Sequence, residues 1–280
     1  MCNQDTRPRF VFAVAGAEHA AGLAPALSFL RRATGHEIIV VQRAGDPPAP
    51  HSHLLPVEVP PQFTTHQAAV WLKTGLHRIL GLERPFCYLD SDVLALSPEI
   101  DTVFSAVDAP IAFAPDHAML DQFSRFALHC GCASACGHLR EALFCAFGAD
   151  LPGEFRLWNG GVFVARTGAE AFLDDWHQMT QAIFNRPYWR TRDQAVLAAA
   201  IARAGLQGAP TLPERFNTIL DCYDGIPLRH RAAARPESLA VFPRHLPLPN
   251  TVAAHLINGG IGRTGWPHWD NLAKLLETTA

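Results

Sequence analysis

Short apolar runs rich in β-branched and aromatic residues alternate along the chain with longer stretches whose apolar positions recur at helical spacing. That alternation is the order expected of an α/β sheet joined by crossover helices. Phe10 to Ala15 reads as a first buried strand closed by Gly16. A helix follows from about His19 to Ala33 and is stopped by Gly35. His36 to Val41 is the second strand, and Ala44 to Gln62, rich in proline and histidine, reads as a long surface connection. Helical periodicity returns from Thr65 to Leu80, with Trp71, Leu72, Leu76, Ile79 and Leu80 on the buried side.

Pro85 to Leu89 reads as a buried strand running into Asp90-Ser91-Asp92. Ser97 can cap a helix that starts at Pro98. Ile111 to Ala114 and Val162 to Ala165 are further short strands. Gln122 to Phe147, Gly168 to Phe184 and Asp193 to Ala204 read as helices. Proline-punctuated loops, a strand at Thr251 to Ala254 and a helix near Asn271 to Glu277 complete the chain. No repeat, low-complexity tail or break in pattern divides it, so one α/β domain is expected across residues 1–280.

Composition narrows the function classes. A chain of 280 residues, 49% hydrophobic and 18% charged, can bury a sizeable core, and a net charge of -3 is too small for a disordered chain. The 23 basic residues are outnumbered by 26 acidic ones and form no block, which argues against a nucleic-acid partner. No apolar run reaches the roughly 20 residues of a membrane helix, so no integral membrane segment is expected. Phe10 to Ala17 follows two arginines but is short for a signal peptide, and a buried strand is the better reading. Seven cysteines, an odd number, with no convincing export signal read as reduced thiols of a cytoplasmic protein.

The most informative tripeptide is Asp90-Ser91-Asp92. Two carboxylates at the end of an apolar strand repel unless something positive sits between them. Residues i and i+2 of an extended backbone point the same way, so both can reach one hard cation. Mn²⁺ or Mg²⁺ held in this way keeps open positions for diphosphate oxygens. Carboxyl ends of strands are where α/β sheets place such groups. Read alone, the tripeptide fits a capped turn equally well.

Taken with its neighbours, Tyr88 to Leu94 resembles the metal-binding segment of nucleotide-sugar glycosyltransferases with the GT-A fold, especially those of family 8. Val11-Phe12-Ala13 resembles the strand that opens the nucleotide pocket, and Lys73 falls where the family carries a basic residue that approaches the donor. Asn159-Gly160-Gly161, Asp193-Gln194, Phe216-Asn217 after Leu212-Pro213, and finally His255 follow in the family's order. The resemblance implies a Rossmann-like, mixed but mainly parallel sheet flanked by helices, with a nucleotide half over about 1–115 and an acceptor half over about 116–280. It implies a metal site of Asp90, Asp92 and His255 for Mn²⁺ (or Mg²⁺), a set whose imidazole leans toward Mn²⁺. It also implies a donor site of Ala13, Lys73, Asp90, Ser91, Asp92, Asn159, Gly160, Gly161, Gly259 and Arg263. Gln194 and Asp193 are the implied catalytic residues. Lys73 would meet the phosphates or a carboxylate of the site, and Gly160-Gly161 let the backbone approach a sugar.

The implied reaction moves a hexose from a nucleotide diphosphate, UDP above all, to a hydroxyl of a glycan, lipid-linked or other acceptor, with retention. An inverting enzyme would need a base, and Asp193 or Asp221 could serve. The chain departs from the family pattern in two places. After the first strand it carries Val14-Ala15-Gly16-Ala17-Glu18, leaving Glu18 as the base-reading candidate. Its ending, Asn258 to Pro267, is long and glycine-rich with Arg263 in place of lysine, so Gly259 and Arg263 are read as a diphosphate clamp.

Two further clusters carry side chains with binding chemistry. His129, Cys130, Cys132, Cys136, His138 and Cys145 invite a zinc reading, but their Ala/Leu/Phe surroundings look like a packed helix with cysteine as a small apolar residue, and core is the expectation. Trp158, Tyr188, Trp189, Trp266 and Trp269 could offer an acceptor sugar an apolar face, or simply bury. The alternatives to transfer are a nucleotide-sugar or glycan-binding homologue without catalysis, and a haloacid-dehalogenase-like phosphatase with Asp90 as nucleophile. The phosphatase needs a downstream lysine, and after Lys73 only Lys274 occurs.

Overall fold

Phe10, Val11, Phe12 and Val14 are buried, a strand covered on both faces as central parallel strands are. The computed structural model describes residues 6–51, 53–190, 192–221, 250–257 and 259–277. In it, β1 (Arg9–Val14) pairs in parallel with β2 (Glu37–Arg43), which pairs with β3 (Leu54–Val57); on its other side β1 pairs with β4 (Phe86–Leu89). Two short strands come next in this part of the chain, β5 (Val93–Ala95) and the longer β6 (Ile111–Met119). β7 (Arg156–Ala165) runs antiparallel to both β4 and β6, giving the sheet order β3-β2-β1-β4-β7-β6. β8 (Thr218–Asp221) and β9 (Ala253–Ile257) join β5 in a second sheet of order β5-β9-β8. The fold class is the expected one, an α/β chain with a mixed six-stranded sheet flanked by helices.

The strands' period of two splits the interior between the sheet's faces. Val11, Tyr88, Phe113 and Phe163 face one way, against α3 (Thr65–Thr74), α7 (Glu170–Ile183) and α8 (Asp193–Arg203). Phe10, Phe12, Cys87, Leu89 and Val164 face the other way, toward α2 (Ala24–Ala33) and the small sheet. Trp176 of α7 is fully buried and donates its indole N–H to the Asp193 carbonyl at 3.1 Å, which locks the start of α8 beneath the sheet edge. A capping box of Thr64 and Gln67 starts α3, a device that stabilises such an end by about 1 kcal/mol.

Several boundaries differ from the sequence reading. The first helix is two, α1 (Ala17–Gly22) and α2, and Gly75 separates α3 from α4 (Leu76–Leu80). Ser97 caps a 3₁₀ helix, Pro98–Ser105, through the Glu99 amide. The connection from Ala44 to Gln62 contains β3. β6 runs past Pro115, which an edge strand tolerates because the register shifts there and no partner needs the missing N–H.

The expected helix from Gln122 to Phe147 is instead α5 (Leu120–Ala127), a connection, and α6 (His138–Phe147). Leu128 leaves the helix with extended backbone and bridges to Trp189, and the next amide, His129, donates to the Tyr188 carbonyl. Gly131 then takes a left-handed φ of 69°. Cys130 packs half-buried against the first core, Cys132 and Cys136 are half-buried in this connection and Cys145 is exposed, so the expected packed helix is not formed. The last helix, α9, begins earlier than expected, at Pro267, and runs to Glu277.

Candidate active site

β4 ends at Leu89, and Asp90-Ser91-Asp92 turn the chain into β5. β5 pairs antiparallel with β9 in a register that sets Val93 opposite His255, and the Leu256 amide donates to the Asp92 carbonyl at 2.9 Å. In β9, Ala254 and Leu256 point into the core, so alternation turns His255 to the other face, toward the acids. Its Nε2 lies 3.1 Å from Asp92 Oδ1, and one ligand atom from each of Asp90, Asp92 and His255 lies within 4.8 Å of the others. His255 Nδ1–H donates to Asn217 Oδ1 at 3.0 Å, which turns the Nε2 lone pair toward the acids.

These atoms fit a divalent cation. Neighbouring ligands of an octahedral ion at about 2.1 Å stand about 3 Å apart, close to the His255–Asp92 spacing. Burial pushes the Asp92 carboxyl up, but the His255 imidazole outweighs it and leaves Asp92 below the usual range. Burial likewise pushes His255 down, while Asp92 lifts it to a net value above that of a free imidazole.

Lys73, on the last turn of α3, is 7% exposed. Its ammonium lies 2.7 Å from Asp193 Oδ2, and 3.2 and 3.3 Å from the two oxygens of Asp90. Burial alone would lower its pKa; Asp193 and then Asp90 reverse that and raise it above the ordinary lysine value. Asp193 answers in kind: burial pushes it up, and Lys73 holds it below the usual range. The Tyr88 hydroxyl donates to Asp90 Oδ1 at 2.6 Å.

β7 supplies the third wall. The Gly161 amide donates to Asn159 Oδ1 at 2.8 Å, and its carbonyl accepts from the Asp90 amide at 2.8 Å. The Gly160 amide donates to Gln194 Oε1 at 2.8 Å, while Gln194 Nε2 donates to the Trp158 carbonyl and, at 3.1 Å, to Asp116 Oδ2. Asp116 is buried and also accepts from Asn159 Nδ2 at 2.7 Å and the Ala118 amide at 2.8 Å. Burial pushes its carboxyl up, but the neighbouring His117 and these donors hold it below the usual range. Together these walls enclose a cavity of about 260 Å³, lined by Lys73, Asp90, Asp92, Asn159, Gly161, Asp193, Gln194 and His255, and also by Asp116, His117, Phe123, Phe126 and Arg192.

The fold has counterparts among solved structures. The apo bifunctional glycosyltransferase WbbM superposes with a TM-score of 0.60 at 12% identity, over 98% of this chain and 50% of its own. The galactosyltransferase LgtC, solved with donor and acceptor sugar analogues, gives 0.56 at 14% identity, over 97% and 95%. GlyE of Streptococcus pneumoniae TIGR4 gives 0.54 at 16% identity, over 98% and 63%. The chain has the GT-A glycosyltransferase fold. This chain spans half the length of WbbM and nearly all of LgtC. No family model matches its sequence, and no curated protein does.

Within this GT-A frame the sequence-predicted residues separate into two groups. Lys73, Asp90, Asp92, Asn159, Gly161, Asp193, Gln194 and His255 converge on the cavity, with Gly160 behind Gln194 and Ser91 in the turn between the acids. Ala13 is half-buried in β1 opposite Val41, and Glu18 is exposed on α1. Gly259, at a φ of 80°, and Arg263 follow β9 in an irregular segment and do not line the cavity. The side chain of Asp221 and all of Asn258 lie outside the described residues.

Sequence reasoning missed Asp116, Asn217 as the partner of His255, and the aromatic lining. Phe123 and Phe126 of α5 supply that lining, whereas Trp158 and Trp189 are buried and Trp266 and Trp269 pack on the second core. An aspartate just beyond an edge-strand proline was the available signal for Asp116. Among the described residues no helix is long and apolar enough to cross a membrane.

Proposed function

We propose that the chain is a metal-dependent glycosyltransferase that moves a hexose from a UDP-sugar to an acceptor hydroxyl. The observation that carries this reading is the convergence of Asp90, Asp92 and His255, from distant parts of the chain, at one end of a sugar-sized cavity. Mn²⁺, or Mg²⁺ in its place, would be held by these three and would neutralise charge on the departing diphosphate.

The protein's own residues do the positioning. Lys73 clamps Asp90 and Asp193 at fixed separation, and its charge persists because both partners are anionic. Gln194 is oriented by three partners, and with Asn159 and Asp116 it presents hydrogen-bonding groups at which sugar hydroxyls can be selected. A matched LgtC structure carries a glutamine-to-glutamate change in its active site, and Gln194 is the glutamine lining this cavity. Phe123 and Phe126 offer the apolar surface that a sugar ring's C–H face prefers.

Asp193 and Asp116, which line the cavity, are poor inverting bases, while the side chain of the other candidate, Asp221, lies outside the described residues. Asp193 is ion-paired and Asp116 accepts several hydrogen bonds, and both are held below the ordinary range, which weakens them as proton acceptors. Retention, with the leaving oxygen assisting deprotonation of the acceptor, is the more consistent stereochemistry.

The test is UDP release from UDP-hexoses with and without Mn²⁺, for the wild type and Asp92→Ala. Metal-stimulated release abolished by the substitution is the expected result; equal rates would end the proposal. A catalytically altered binding homologue is the second reading, favoured by the exposed Glu18 and by Gly259 and Arg263 standing outside the cavity lining. Calorimetric UDP binding with no release across a donor panel would establish it instead.

A further inference from the structure

The connection between α5 and α6 carries a second cluster with metal-binding chemistry. Cys130, Cys132 and Cys136 lie in the connection and His138 opens α6. One ligand atom from each lies within 4.8 Å of the other three, and Cys132 Sγ stands 3.4 Å from His138 Nδ1. A tetrahedral Zn²⁺ with bonds of about 2.3 Å to sulfur and 2.0 Å to nitrogen spaces its ligands about 3.5–3.8 Å apart, within that envelope. None of these cysteines is in a disulfide, and each is half-buried beside the exposed His138, accessible to an ion.

The surroundings hold the four groups in place. Ser124 Oγ donates to the Cys136 carbonyl at 2.7 Å, and the Cys136 amide donates to the Asp121 carbonyl at 3.0 Å. The Leu139 amide donates to Ser124 Oγ at 3.2 Å, so one α5 serine fastens both sides of Gly137-His138. Gly131, left-handed between Cys130 and Cys132, makes the sharp turn that lets both thiols face inward.

We propose that Cys130, Cys132, Cys136 and His138 bind one structural zinc ion that ties α5 to α6. Three thiolates and an imidazole form a closed, soft, four-coordinate set suited to zinc, unlike the oxygen-rich set of Asp90, Asp92 and His255. The ion's effect would reach the cavity by two routes. α5 carries Phe123 and Phe126, and the backbone of Leu128 and His129 pairs with Tyr188 and Trp189 just upstream of Asp193. Neither route depends on the chain being a transferase.

The test starts with the full chain purified under reducing conditions and dialysed against metal-free buffer. Elemental analysis is expected to find about one zinc per chain in the wild type and in Asp90→Ala/Asp92→Ala, and none in Cys132→Ser/Cys136→Ser. Exchange of wild-type zinc for Co²⁺, which needs no cysteine variant to fold, is expected to give thiolate-to-cobalt charge transfer and the intense visible bands of a tetrahedral ion. Cys145→Ser, outside the cluster, should keep both. Cobalt binding without charge transfer, failure of the reduced wild type to hold either metal, or zinc lost with Asp90 and Asp92 but not with the cysteines would each overturn the proposal.

Discussion

Gly161→Ala adds one methyl group at the point where the site is tightest. The Gly161 backbone is not left-handed, so any effect is steric. A Cβ built there would overlap His255 Cε1 and stand 2.8 Å from Asn159 Oδ1 and 2.9 Å from Asp90 Oδ2. Restoring ordinary contact near 3.5 Å requires those groups to retreat by roughly 0.5–1 Å. Metal ligation tolerates only about 0.2 Å. Both Asp90 and His255 border a cavity into which they can swing, so the fold should lose no more than the roughly 1–3 kcal/mol of an overpacked position. Metal affinity should fall at least 10- to 100-fold, the scale seen when support to a ligand is removed. Gly160→Ala is the matched control: its Cβ would meet Asp193 Oδ2 at 3.1 Å, Lys73 Nζ at 3.3 Å and Gln194 Oε1 at 3.5 Å, none of them a proposed ligand. Mn²⁺ titration of both variants, with thermal melts alongside, separates the effects. Wild-type Mn²⁺ affinity in Gly161→Ala, with the loss appearing in Gly160→Ala instead, would refute the assignment of the ligand set.

Two other outcomes follow from the electrostatics. Lys73→Met strands Asp90 and Asp193 side by side, a change expected to remove about 3–5 kcal/mol of stability and to be partly reversed by Mn²⁺, read from melting curves with and without the ion. The His255–Asp92 pair sets the pH window: the His255 contribution is complete below its unfolded value of 6.5 and fades as pH climbs through its raised folded value. The Asp92 contribution is present above 3.8 and fades as pH falls through its lowered folded value. Because only unprotonated imidazole ligates, Mn²⁺ affinity should rise with pH across the raised His255 range, and a flat affinity from roughly pH 6 to 9 would contradict that.

What the sequence made legible were features that local rules encode. An apolar strand ending in two acids two residues apart announces the Asp90/Asp92 pair, and the order of motifs brings in Asn159, Asp193, Gln194 and His255. Five strands of the six-stranded sheet follow from the alternation of buried strands and amphipathic helices, while β3 lies in the segment read as a surface connection. What stayed hidden depends on partners far away in the chain. β5 and β8 are too short to announce themselves and exist because β9 pairs with both. The run from Leu128 to Gly137 has helix-compatible small residues, yet Leu128 finds a better partner in Trp189, and the extended backbone that results brings the cysteines together. The resemblance puts Lys73 near the phosphates or a carboxylate of the site, and the fold supplies two such carboxylates, Asp90 and Asp193.

The charge balance of the cavity ties these observations to the proposed function. Asp90, Asp92, Asp116 and Asp193 bring four negative charges, Lys73 and Arg192 return two positive, and with neutral imidazoles the formal sum is -4 + 2 = -2. Each acid has a polar partner: Tyr88 and Lys73 for Asp90, Lys73 for Asp193, His255 for Asp92, Asn159 and Gln194 for Asp116. A diphosphate, itself anionic, would be repelled by that field at the few-ångström distances of the cavity. A divalent cation held by Asp90 and Asp92 would cancel those two excess charges. The same residues that would repel a nucleotide on its own therefore make donor binding conditional on the ion, and nucleotide affinity measured with and without Mn²⁺ reads that coupling directly.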